Sequence, residues 1–121
     1  MQGRISPRQQ RINKCNMLIE EIAHYTGKFR SNDKLSYIFI NNNQRIFFHN
    51  SITEDRIFIA NKVSWRKTTV TESEKNLIIQ FKTYVMRRTP VKAEYFKNAL
   101  NGYEGIDKIL ESARKAGILE G

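Results

Sequence analysis

Apolar residues recur at helical spacing early in this chain, at strand spacing through its middle, and at helical spacing again to the end. Ile12, Cys15, Leu18, Ile19 and Ile22 fall on one helical stripe. Ser6-Pro7-Arg8-Gln9 precedes them, with a hydroxyl at N-cap, proline at N1 and glutamine at N3, a capping-box arrangement. Gly27 supplies the stop. The pattern predicts a helix between Ser6 and Gly27, with residues 1–5 as a loose basic tail. At about 100° per residue, Arg8 and Arg11 project along the same stripe as Cys15, Ile19 and Ile22. A stripe that turns from apolar to arginine must run out beyond the core. The first two turns are therefore expected to overhang and to offer Arg4, Arg8, Arg11 and Lys14 to solvent or a partner.

Lys28 to Lys34 reads as a polar loop, and three strands follow at Leu35–Ile40, Arg45–His49 and Arg56–Ala60. Leu35, Tyr37 and Phe39 alternate with Ser36, Ile38 and Ile40; Ile46 and Phe48 with Phe47 and His49; Ile57 and Ile59 with Phe58 and Ala60. Asn41 to Gln44 makes a turn, because asparagine tolerates left-handed backbone angles, and 50–55 makes a second connection. Connections this short imply an antiparallel meander. Its two-sided apolar character implies helices on one face and some cover or a partner on the other. The strands run out into an acid-free segment holding Lys62, Trp65, Arg66 and Lys67. There a tryptophan can stack on a base while its neighbours meet phosphates, or can anchor the loop to the core.

Thr71-Glu72-Ser73-Glu74 is a second capping box and opens a helix running to about Arg88. Leu77, Ile78, Phe81, Tyr84 and Val85 share one face; Ile79 and Met86 lie on the opposite one. That second strip calls for a further packing partner, either the C-terminal helix or another subunit as in a homodimer. Thr89-Pro90 is an N-cap/N1 pair for a short helix over Val91–Leu100, stopped by Asn101-Gly102. A last helix, Glu104 to Ala116, is expected to bury Tyr103, Ile106, Ile109, Leu110 and Ala113. Gly117 followed by Ile118 has the pattern of a Schellman stop. The expected fold is α+β, a single domain with an N-terminal helix, a three-stranded antiparallel meander and two or three C-terminal helices.

Charge adds a preference for partners. The net charge is +9 over 121 residues, and residues 1–34 alone carry seven basic and three acidic groups. The C-terminal helices are nearly balanced, so the excess lies in the front two-thirds. This bias favours a polyanionic partner: nucleic acid, a nucleoprotein, or an acidic protein face. Apolar runs of four or five residues predict no membrane span. The single cysteine cannot form an internal disulfide, which fits a reducing cytoplasm, and its place on the helical stripe predicts a buried thiol.

Little in the chain points to a reaction. His24 and His49 are the only histidines, and no Cys or His pair has metal-ligand spacing, so neither metal nor cofactor is expected. There is no phosphate loop, dinucleotide fingerprint or serine elbow. A metal-independent ribonuclease would need two histidines and a cation; His49, with Arg45 on the same strand face, would be half of one, but a lone strand histidine reads as structural. Residues 90–116 mimic a helix-turn-helix. The second helix would lead into a groove with Glu104 and Asp107, which rules against that reading.

Ser6–Asn13, Arg45-Ile46-Phe47, Trp65-Arg66, Leu77–Arg88 and Gly102-Tyr103 through Gly117-Ile118 together resemble the layout of small uncharacterised accessory proteins of phages, prophages and other mobile elements. The glycine-containing threonine turn that precedes the long helix in such proteins is absent here. The resemblance carries over no catalytic residue and implies a phage accessory role, counter-defence included, in a host cytoplasm. The expectation is a non-enzymatic basic protein that engages nucleic acid or a nucleoprotein through Arg4, Arg8, Arg11, Lys14, Lys62, Trp65, Arg66 and Lys67. The alternative is an inhibitor of a host protein, such as an anti-CRISPR-type factor, docking through Ile79 and Met86.

Overall fold

Ser6 stands outside the first helix with extended backbone, and its hydroxyl accepts the Gln9 amide hydrogen at 3.1 Å. Gln9 does not return the bond: its side chain donates to Asn13 one turn on. In a computed structural model, which describes residues 5–59 and 70–120, this cap opens α1 (Pro7–Thr26). Gly27 ends it in the left-handed region at φ 77°, its N–H donating to the Ala23 carbonyl. The stripe read from the sequence is the buried one, with Ile12, Cys15, Leu18, Ile19 and Ile22 all inaccessible or nearly so.

The segment expected as a polar loop folds into a small hairpin, β1 (Arg30–Ser31) with β2 (Lys34–Leu35), turning at Asn32 with φ 57°. Phe29 is the reason. It is buried edge-on against Phe48, their ring centroids 6.0 Å apart, and that anchor draws the flanking residues into pairing. The first strand of the expected meander is consequently split. Leu35 belongs to the hairpin, whereas β3 (Tyr37–Ile40) belongs to the main sheet. Ser36 sits at the break, its N–H on the Phe29 carbonyl and its buried hydroxyl 2.9 Å from that of Ser51.

The main sheet is the antiparallel meander β3–β4–β5, with β4 at Ile46–His49 and β5 at Arg56–Phe58. Ala60 lies outside the described residues. Ile38, Ile46, Phe48 and Ile57 face inward, with Ile59 just beyond β5, and join one core with α1 and α2 (Glu72–Arg87). Each such buried side chain stabilises the fold by roughly 1.5–3 kcal/mol. The capping box at Thr71 forms as read, with Glu74 accepting from the Thr71 N–H at 3.1 Å. The other Glu74 carboxylate oxygen pairs with Lys28. One buried carboxylate therefore holds both the start of α2 and the chain leaving α1.

The C-terminal helices differ from expectation at their starts. Thr89-Pro90 caps nothing; α3 spans Ala93–Ala99 with Lys92 at its N-cap. Val91 is buried and extended instead, donating to the Ile118 carbonyl and accepting from the Glu120 N–H at 2.8 Å. A residue bonded on both sides to the chain end cannot also begin a helix. The last helix, α4, spans Ile106–Lys115 behind Gly105, where any Cβ would run into the Tyr25 ring. Ile109 and Ala113 are buried as expected and Ile106 and Leu110 half-buried, but Tyr103 stays 38% exposed beneath the Lys28 ammonium. Its end is the Schellman motif predicted, Ile118 N–H to the Ala113 carbonyl and Gly117 N–H to that of Arg114. Among the described residues no helix is long and apolar enough to cross a membrane.

Strand β3 is an edge strand, and α1 closes it. The Asn16 side chain accepts from the Ile38 N–H at 2.8 Å and donates to the Ile38 carbonyl at 2.9 Å, so one amide stands in for a neighbouring strand. Replacing Asn16 by Ala leaves both groups unpaired at a part-buried edge and should cost about 2 kcal/mol. Urea denaturation checks this as a lower midpoint at unchanged slope. Asn16→Asp, which keeps the acceptor and loses the donor, should fall between Ala and wild type.

Candidate nucleic-acid interface

The side chains that do not face the core form a second surface on the same three strands. Pairing sets Tyr37 opposite His49 and His49 opposite Arg56, and likewise Phe39 opposite Phe47 and Phe47 opposite Phe58. Because side chains alternate strictly along a strand, the outward face carries two cross-strand rows, Tyr37–His49–Arg56 and Phe39–Phe47–Phe58. Tyr37 and His49 stack at 4.9 Å, Phe39 and Phe47 at 5.6 Å, and Phe58 tilts against Phe47 at 5.5 Å. Tyr37 is 37% exposed and the phenylalanines are half-buried.

Cations sit over these rings. The Arg56 guanidinium lies 5.3 Å from the Phe39 ring centre, having crossed β4 to get there. Arg45 and the Lys82 ammonium of α2 lie 5.7 and 5.5 Å from that of Phe58. None of the three has a carboxylate partner among the described residues. Glu54 is at the other end of the face, between Lys34 at 3.2 Å and His49 Nε2 at 3.6 Å. The surface is therefore graded: unneutralised cations over phenylalanine at one end, a paired carboxylate at the other. Aromatic rings take base stacking and unpaired cations take phosphate, the combination used to hold single strands.

Of the residues singled out from the sequence, those that the structure describes lie elsewhere. Arg8 and Lys14 are on α1, half-buried and exposed respectively. Arg11 does not overhang. It is part-buried, and its Nε donates at 2.8 Å to the Val85 carbonyl near the end of α2, tying the two helices together. Stripe direction on an isolated helix predicts an overhang; α2 extends far enough to meet the second turn. Arg4, Lys62, Trp65, Arg66 and Lys67 lie outside the described residues. Ile79 and Met86 are half-buried against the core and border a cavity of about 220 Å³ with Lys82, Thr83 and Arg87.

Glu54 is beside His49, but among the described residues no second histidine joins them. The His49 ring is stacked on Tyr37, its Nδ1 is buried without a partner, and Arg45 on the same strand face turns away to Phe58. His24 is at the other end of α1, edge-on to Tyr25. Among the described residues no three His, Cys, Asp or Glu side chains gather as metal ligands would. Cys15 is fully buried, and that burial pushes its thiol well above the ordinary range, against a smaller opposing effect of Arg11. Comparison with known protein families, curated proteins and solved structures finds no match for this chain.

The face was within reach of the sequence. Tyr37, Phe39, Phe47, His49 and Phe58 are the alternate members of the three strands, and Arg45 and Arg56 begin two of them. What was missing was the register that sets them in rows. Two outcomes check the site chemistry. The Cys15 thiol should stay unreactive toward a disulfide reagent at neutral pH until the protein is unfolded. Arg45→Ala with Arg56→Ala should lower stability by no more than about 2 kcal/mol, since exposed cation–π contacts contribute roughly 0.5–1 kcal/mol each; thermal denaturation reads this.

Proposed function

We propose that this chain is a small non-enzymatic binding protein that holds single-stranded nucleic acid on the outward face of its sheet. The observation that supports this reading is the pair of cross-strand rows, five aromatic side chains attended by three cations with no carboxylate partner among the described residues. A duplex hides its base faces, whereas a single strand can lay them on rings; base–aromatic stacking supplies roughly 1–3 kcal/mol per base. In the accessory role that the sequence resembles, such a protein would act on nucleic acid or on a nucleoprotein of its host. A protein-docking inhibitor is the second reading, supported by the cavity beside Ile79 and Met86.

Fluorescence anisotropy with labelled single- and double-stranded DNA and RNA tests the first reading. Binding should favour single strands and weaken with salt at a slope of about −2 in log K against log [salt], as three phosphate contacts would give. Arg45→Ala with Arg56→Ala should bring that slope to about −0.7, one contact remaining. No binding at low salt overturns the reading. Capture of a host protein after nuclease treatment, lost on Ile79→Asp with Met86→Asp and kept on the arginine substitutions, supports the second.

A further inference from the structure

Within the aromatic face, one corner is built differently from the rest. Phe39, Phe47, Asn41 and Arg56 line an open depression of about 180 Å³. That is below the roughly 300–1,000 Å³ of pockets for drug-sized ligands and suits a single planar ring. Two of its walls are phenylalanine and a third carries the guanidinium held over Phe39. The fourth wall is polar and its orientation is set by the turn. Asn41 Oδ1 accepts from the Asn43 N–H at 3.0 Å and the Arg45 N–H at 2.9 Å, while the Asn41 backbone bonds to Arg45 and Gln44. With two backbone hydrogens fixed on the oxygen, the amide cannot flip, and Nδ2 is left without a partner among the described residues.

We propose that these four residues form a single-base pocket selective for keto bases (guanine, thymine or uracil) over adenine. The inference rests on the single-strand reading above. Its physical basis is that the side-chain groups left free at the cavity are donors: Asn41 Nδ2 and the Arg56 guanidinium have hydrogens to give, while Asn41 Oδ1 is already taken by the Asn43 and Arg45 amides. Guanine O6 with N7, and the carbonyl oxygens of thymine and uracil, offer acceptors to such a wall. Adenine sets its amino hydrogens beside N7 and would face donor against donor. Phe39 and Phe47, stacked on each other at 5.6 Å, offer any base the same apolar surface, so discrimination falls to the amide and the guanidinium.

The test compares oligo(dT) with oligo(dA) of equal length at one salt concentration, by anisotropy, on wild type and two variants. Wild type should bind oligo(dT) about five-fold tighter, the lower end of what a specific base contact supplies. Asn41→Asp keeps an oxygen for both turn bonds and exchanges the donor for an acceptor. Its added charge weakens both oligonucleotides alike, so the readout is their ratio, which should fall to about one or reverse. Arg56→Met, which leaves the turn untouched, removes the second donor and should also lower the ratio. Self-stacking of oligo(dA) is common to all three proteins and cancels in that comparison. A wild-type ratio of one, or a ratio that survives both substitutions, overturns the pocket and leaves the single-strand reading standing. Failure of wild type to bind either oligonucleotide overturns both.

Discussion

A sheet of three strands, none longer than four residues, cannot protect its own edge, and the rest of the molecule is arranged around that weakness. At β3 the Asn16 side chain supplies both the acceptor and the donor that a fourth strand would have supplied. This amide lies on α1 one position after Cys15, so the helix that buries the sheet's inner face also closes its edge. The geometry places α1 against β3, and α2 then packs beside α1 with Arg11 donating into its last turn. Removing this clamp would expose backbone to water and free the strand to pair elsewhere.

With the edge and the inner face committed, the outer face remains for other work. It is apolar enough to want covering and too cationic to be a packing surface. Aromatic rings paired across strands add stability to a short sheet, roughly 0.2–1 kcal/mol per pair, so the ladder is also part of what holds the strands together. The binding proposed for this face would therefore draw on the same side chains as folding. Substitutions that keep a ring while changing its neighbours separate the two roles better than truncation does.

The strands, both helix caps and the closing Schellman turn were legible because each rests on residues close together in the sequence. Ser6 with Gln9, Thr71 with Glu74, and Gly117 with Ile118 meet within one turn of chain. The misreadings have the opposite character. Thr89-Pro90 has the local form of a helix start, and Val91 is taken instead by the C-terminus 28 positions on. Arg11 has the look of an overhanging arginine and is claimed by Val85. Phe29 sits in a polar stretch and is buried by Phe48.

By itself, then, the amino-acid order determined the class of fold, the order of the helices and of the main-sheet strands, and the excess of positive charge, because periodicity and capping act over a few residues. Only the tertiary structure decided which cations are spent holding helices together and which stand unpaired over rings. It alone set Tyr37 beside His49 and Arg56, and Phe39 beside Phe47 and Phe58. Register is a relation between strands, and a slip of one residue would turn the ladder inward and the isoleucines out. Alternation along one strand says that two faces exist; pairing with the next says what each face is made of.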